Sequence, residues 1–208
     1  MEKQPIYEPD EDTFLMWDCL QAEIAQKVSG KSRKEVPDIL SACSLLDMGA
    51  GSGYLGFEAG KLGIGRVVFV DINPESVSYV KGLLESEDLF HSVILSDVFS
   101  NVHGSFDYIV FNTPYLPDEE DITQSTISPN ALSLHGGPMG NEVAIRFVQA
   151  LPEHLNKFGV AFLLTSSLSK PEIIELEAKQ RGFSCSIVAK KKLFFEGLIV
   201  YKLVLKHK

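Results

Sequence analysis

Asp47-Met48-Gly49-Ala50-Gly51-Ser52-Gly53 is the stretch on which the fold turns. A short apolar run, Ser44-Leu45-Leu46, leads into it, and the spacing after it predicts a helix over residues 54–62. Strand, glycine turn and helix make the unit at which open α/β sheets bind ligands. Glycines there let the backbone turn tightly and let a ligand come close. The next run, Arg66-Val67-Val68-Phe69-Val70-Asp71, is nearly all β-branched or aromatic, as a strand buried on both faces would be. Asp71 stands at its tip.

Outward from this unit, strands and helices alternate. Asn73-Pro74-Glu75 starts a helix running to about residue 84, and residues 91–95 and 106–111 read as the third and fourth strands. An irregular stretch, 116–140, separates these from a helix over 141–155, a strand over 160–165 and a helix over 171–181. Two closing strands, 183–189 and 198–205, are joined by a connection short enough only for an antiparallel hairpin. On the other side, Phe14, Trp17, Leu20, Ile24 and Val28 lie near helical spacing, Gly30 is a plausible stop, and 31–38 reads as a polar loop. The expectation is an α/β fold, a Rossmann-like doubly wound sheet of seven strands, mostly parallel with a C-terminal antiparallel hairpin. Residues 1–208 form one domain in this reading, with 1–30 as an N-terminal covering segment and helix.

Bulk properties narrow the classes. The chain has 208 residues, 45% hydrophobic and 23% charged, and no apolar run long enough to span a membrane. Cys19, Cys43 and Cys185 are odd in number and scattered, which predicts reduced thiols rather than a disulfide frame or metal knuckle. Met1–Pro5 lacks a signal core, so the expected address is cytoplasmic. A net charge of −9 disfavours stable nucleic-acid binding, and Lys190-Lys191-Lys192 reads as a solvated strand end.

The glycine loop admits two ligand classes. Gly51-Ser52-Gly53-Tyr54-Leu55-Gly56 matches the dinucleotide fingerprint, which would make the protein a nicotinamide or flavin enzyme. Asp47, two residues before the first glycine, suits a cationic sulfonium ligand better than a pyrophosphate. Asp71 can accept two ribose hydroxyls. Asp97, after the third strand, can accept an adenine amine with Val98 packed beside the ring, or it can be a turn aspartate.

Phe111-Asn112-Thr113-Pro114-Tyr115 leaves the fourth strand beside that loop. With Tyr7-Glu8-Pro9-Asp10-Glu11-Asp12-Thr13, Asp71-Ile72-Asn73-Pro74 and Leu134-His135-Gly136-Gly137-Pro138-Met139-Gly140, it resembles one family over nearly the whole chain. This is the class I S-adenosylmethionine-dependent amino-methyltransferases with a [D/N]-P-P-[Y/F] motif. The chain is most similar there to the HemK-related release-factor glutamine methyltransferases of the compact eukaryotic and archaeal type.

The resemblance implies S-adenosylmethionine as cofactor and assigns roles. Thr13 meets its carboxylate, while Tyr7 and Pro9 close over the site. Asp47, Gly49 and Gly51 line the methionine portion, and Ala50 and Gly53 of the same loop also meet the cofactor. Asp71 holds the ribose, Ile72 beside it also meets the cofactor, Asp97 and Val98 flank the adenine, and Asn112 borders the cofactor as well as the acceptor. In the catalytic tetrad Asn112, Thr113, Pro114 and Tyr115, the Asn112 side-chain oxygen and the carbonyl of Thr113 accept the hydrogens of the target amide, and Tyr115 packs on its plane. An amide nitrogen is a poor nucleophile, so two fixed acceptors orient it and stabilise the charge growing on it. Thr113 stands where the family usually has proline; its carbonyl survives, and Pro114 keeps it extended.

The implied substrate is the Gly-Gly-Gln glutamine of a translation release factor, with a small zinc-binding activator subunit as a further partner on an apolar sheet edge, for which residues 92–95 are a candidate. Adenine and lysine remain open as acceptors. The Asp118-Glu119-Glu120-Asp121 cluster either meets a basic protein surface or solvates a loop. His91, His103 and His135 read as structural.

Overall fold

The computed structural model describes residues 6–85, 91–117 and 136–206. The acidic cluster 118–121, Leu134 and His135 lie outside the described residues. Seven strands form one sheet: β1 (Ser44–Met48), β2 (Arg66–Asp71), β3 (His91–Leu95), β4 (Phe106–Asn112), β5 (Leu155–Ser166), β6 (Phe183–Lys192) and β7 (Gly197–Leu205). Their order is β3-β2-β1-β4-β5-β7-β6. The first five pair in parallel, and β7 runs antiparallel between β5 and β6. The order reverses between β1 and β4, so the loops after these two strands share the crevice at that switch point.

Helices cover both faces. On one lie α1 (Glu11–Lys27), α2 (Glu35–Ser41), α3 (Tyr54–Lys61) and α4 (Pro74–Leu84); on the other lie α5 (Glu142–Ala150) and α6 (Pro171–Gln180). Alternation along the strands feeds two cores. Leu45, Tyr108 and Val110 face Met16, Leu20 and Leu55, whereas Leu46, Ile109 and Phe111 face Phe147, Val148 and Ile174.

Local chemistry moved several expected boundaries. Residues 31–38 are not all loop: Ser32 donates its backbone N–H (2.9 Å) and hydroxyl (2.6 Å) to Glu35, starting α2, which buries Leu40. Pro152 lacks the N–H that a longer helix would need, so α5 ends at Ala150 and β5 begins at Leu155. The buried stripe of α1 is Thr13, Met16, Leu20 and Ile24; Phe14 lies outside it, set edge-on to Tyr54 at 5.5 Å. Val28 is the cap residue of α1, one turn after Ile24. Lys190–192 belong to β6, and Lys191 pairs with Glu11 at 3.4 Å. The three cysteines are free, with Cys43 buried and the others half-buried. Among the described residues no helix is long and apolar enough to cross a membrane.

Gly65 is a tight point of the scaffold. A Cβ there would overlap the Ser41 carbonyl, which is backbone and cannot swing aside. Gly65→Ala should therefore cost about 3 kcal/mol of unfolding free energy, read as a lowered urea midpoint at unchanged slope.

Candidate active site

The site forms where β1, β2 and β4 end. Asp47 lies on β1, 2% exposed, and its carboxylate accepts the N–H of Gly56 at 2.9 Å. Burial pushes its carboxyl up to about 8. Gly49 and Gly51 follow with φ of 64° and 55°, a region that side-chain-bearing residues rarely adopt. A Cβ at Gly49 would strike the Phe111 ring, and one at Gly51 would press on the Tyr7 carbonyl at 3.1 Å. The loop is thus held between the tetrad strand and the N-terminal segment.

Asp71 shapes this loop from β2. One carboxylate oxygen accepts the N–H of Gly51 and the other that of Asn73, each at 2.8 Å. Its carboxyl is raised by burial, against the lowering effect of those N–H groups. Ile72 beside it is 65% exposed, an apolar side chain on the rim. Val98 is buried with φ of 48°, an unusual conformation for a β-branched residue. Asp97 is turned to the surface, where its carboxylate takes the Arg146 guanidinium at 2.6 Å.

The tetrad continues from β4, whose last residue, Asn112, pairs with Leu164 of β5. The side-chain oxygen of Asn112 is buried and has no hydrogen-bond partner. A buried, unpaired acceptor is costly, so its retention points to a donor supplied from outside. Thr113 is fully buried, and its hydroxyl donates to the Leu164 carbonyl at 2.7 Å. This bond fixes the backbone where a proline ring would otherwise stiffen it. Gly136 donates its N–H to the Leu116 carbonyl at 2.8 Å, so the Gly136–Gly140 segment folds back onto the strand exit.

One residue in the site carried no assigned role in the sequence reading. The Asp12 carboxylate, buried at the start of α1, accepts the Tyr7 hydroxyl at 2.7 Å on both oxygens, the Thr13 N–H at 2.6 Å and the Tyr115 hydroxyl at 3.3 Å. It ties the N-terminal segment to the tetrad. Burial foremost, then the Asp12 charge and hydrogen bonds, raise both tyrosines far above the ordinary phenol range, so both remain protonated donors. The acid-threonine pair in Asp12-Thr13 was the available signal, but the partners of Asp12 are distant in sequence.

The buried Asp47 and half-buried Asp71 carboxylates around a backbone cradle, with an orphaned amide oxygen at the end of the neighbouring strand, suit a ligand bearing a cation and a diol, next to an N–H donor. The methyltransferase small-domain family model matches residues 35–194. MJ0928 of Methanocaldococcus jannaschii, whose name assigns it protein N5-glutamine methyl transfer, is 34% identical over 195 residues, 94% of this chain and 89% of that one. The methyltransferase HEMK2 of Mus musculus is 30% identical over 206 residues, 95% of this chain and 88% of its own. The solved E. cuniculi Mtq2–Trm112 complex, titled as responsible for methylating the eRF1 termination factor, matches with a TM-score of 0.69 at 25% identity, over 97% of this chain and 99% of that chain. The chain belongs to the methyltransferase small-domain family, in its HemK-related branch.

The dinucleotide reading of Gly51–Gly56 gives way to this. Gly56 is a packing glycine: its N–H serves Asp47, and a Cβ there would overlap the Phe69 ring.

Proposed function

We propose that this protein transfers a methyl group from S-adenosylmethionine to the glutamine side-chain amide in the Gly-Gly-Gln loop of a translation release factor. The observation that carries the reading is the buried, unpartnered oxygen of Asn112 at the exit of β4. Bound S-adenosylmethionine supplies an electrophilic methyl group on a sulfonium. Asn112 accepts one hydrogen of the target amide and the Thr113 carbonyl the other, which aims the nitrogen lone pair and stabilises its growing positive charge. Tyr115 packs on the amide plane, and Pro114 holds the turn. No strong base is needed, because the nitrogen loses its proton only as the new bond forms.

In the same proposal Thr13 receives the cofactor carboxylate, with Tyr7 and Pro9 as its cover. Asp47 faces the amino-acid cation, while Gly49, Ala50, Gly51 and Gly53 leave room beside the backbone. Asp71 accepts the ribose hydroxyls and Ile72 covers the base, with Val98 at its other side. Asp97 reaches the adenine amine only by sharing or releasing Arg146. The whole chain acts as one domain, with residues 1–30 as the covering segment. A small activator subunit sits on the edge strand β3, a reading supported by the exposed position of that strand in the sheet and by the partnered state of the E. cuniculi relative.

Asp47 gives a test of cofactor class. Its raised pKa means that the folded protein holds a proton which the unfolded chain has released, so the Asp47 contribution to ligand-free stability falls as pH rises towards about 8. A cation placed against Asp47 favours the carboxylate. S-adenosylmethionine binding near pH 7 should therefore release protons, measured calorimetrically in buffers of different ionisation enthalpy, and Asp47→Asn should abolish the release. Binding of NAD in place of S-adenosylmethionine would reject the proposal.

A further inference from the structure

The turn between β6 and β7 holds the most exposed aromatic side chains among the described residues. Phe194 is 96% exposed and Phe195 90%, with their ring centroids 5.6 Å apart. The turn itself is anchored. Leu193 donates its N–H to the Glu196 carbonyl at 2.8 Å, Gly197 donates to the Ser167 hydroxyl at 2.9 Å, and Lys191 pairs with Glu11 beside the first turn of α1. Exposure here is not fraying; two apolar rings are held out on a fixed support.

Topology sets where they point from. β7 runs antiparallel to β5, and Leu198 at its start pairs with Ser166 at the end of β5. Asn112 pairs with Leu164 two residues earlier on the same strand. The turn before β7 therefore stands on the edge of the sheet from which the tetrad emerges. Glu196 in that turn has a buried carboxylate oxygen with no hydrogen-bond partner, and its charge is felt by Tyr115. Asn112 and Glu196 thus present two orphaned acceptors at one end of the molecule, with the phenylalanines beyond them.

We propose that Phe194, Phe195 and Glu196 form the docking element for the acceptor protein, gripping the chain next to the methylated side chain. The occupant offers an apolar side chain to the two rings and an N–H donor to Glu196. The turn stands at the sheet end from which Asn112 emerges, so a polypeptide whose amide reaches Asn112 passes beside the two rings, and a buried carboxylate oxygen there takes an N–H donor rather than a phosphate. The proposal rests on the protein-methylation reading.

Phe194→Ser/Phe195→Ser in the full chain tests it, because neither ring packs in the core. The KM for release factor should rise about tenfold, with kcat at saturation and S-adenosylmethionine affinity within about twofold of the parent. Glu196→Gln should raise the same KM and leave cofactor affinity alone. An unchanged KM in the double variant, with the parent active, overturns the docking role only. Unchanged KM with lost pelleting on phosphatidylserine vesicles assigns the rings to a membrane surface instead. Absence of transfer by the parent overturns the docking role and the protein-methylation reading together.

Discussion

Asn112→Ala should bind S-adenosylmethionine within about twofold of the parent while methyl transfer falls by about 10²–10³-fold. That loss is the size expected when one preorganised hydrogen-bond partner of a charge-developing centre is removed. The side-chain oxygen is buried and unpaired, so its deletion breaks no internal bond that the fold depends on. Stability should hold or rise, since an unsatisfied buried acceptor disappears. Asn112→Asp keeps an acceptor at the same place and should retain more activity than alanine. Single-turnover rates and equilibrium cofactor titration separate the two effects; loss of cofactor binding in the alanine variant would assign Asn112 to the cofactor.

Asp71→Ala should produce the largest defect in cofactor binding. Its two oxygens organise the glycine loop through Gly51 and the start of α4 through Asn73. In the proposed complex they also accept the ribose hydroxyls. Hydrogen bonds to a charged group are worth about 1.5–3 kcal/mol each, so loss of this carboxylate should weaken cofactor binding about 100-fold or more. The ligand-free protein should lose about 2 kcal/mol, because two N–H groups lose their acceptor. Asp71→Asn retains one acceptor oxygen and should fall between. Equal cofactor affinity in parent and alanine variant would remove Asp71 from the site.

Much of this was legible because the α/β sheet writes itself into local pattern. The β-branched run ending at Asp71 and the glycine loop after β1 are contiguous signals, and they carry the strand–turn–helix alternation of the parallel part of the sheet. The edge placement of β3 and the antiparallel β6–β7 pair also followed, from the short β6–β7 connection and the apolar strand 92–95. What escaped depends on partners far apart in the chain. Asp12 acquires meaning only when Tyr115, 103 residues away, reaches it. The Thr113 hydroxyl finds its acceptor on β5, and the surface pairing of Asp97 needs Arg146 from α5. Phe14 fits the helical spacing of α1, yet the sheet takes Met16 instead, because the angle of docking decides which stripe is buried. The Ser32–Glu35 start of α2 was a readable local signal within a stretch whose polarity suggested loop.

The glutamine assignment is tested most directly by methyl transfer from labelled S-adenosylmethionine to a release factor carrying either the intact Gly-Gly-Gln glutamine or its replacement. Stoichiometric label is expected on the intact factor and none on the replaced one. Label that persists after replacement, or that goes to nucleic acid offered in its place, would contradict it.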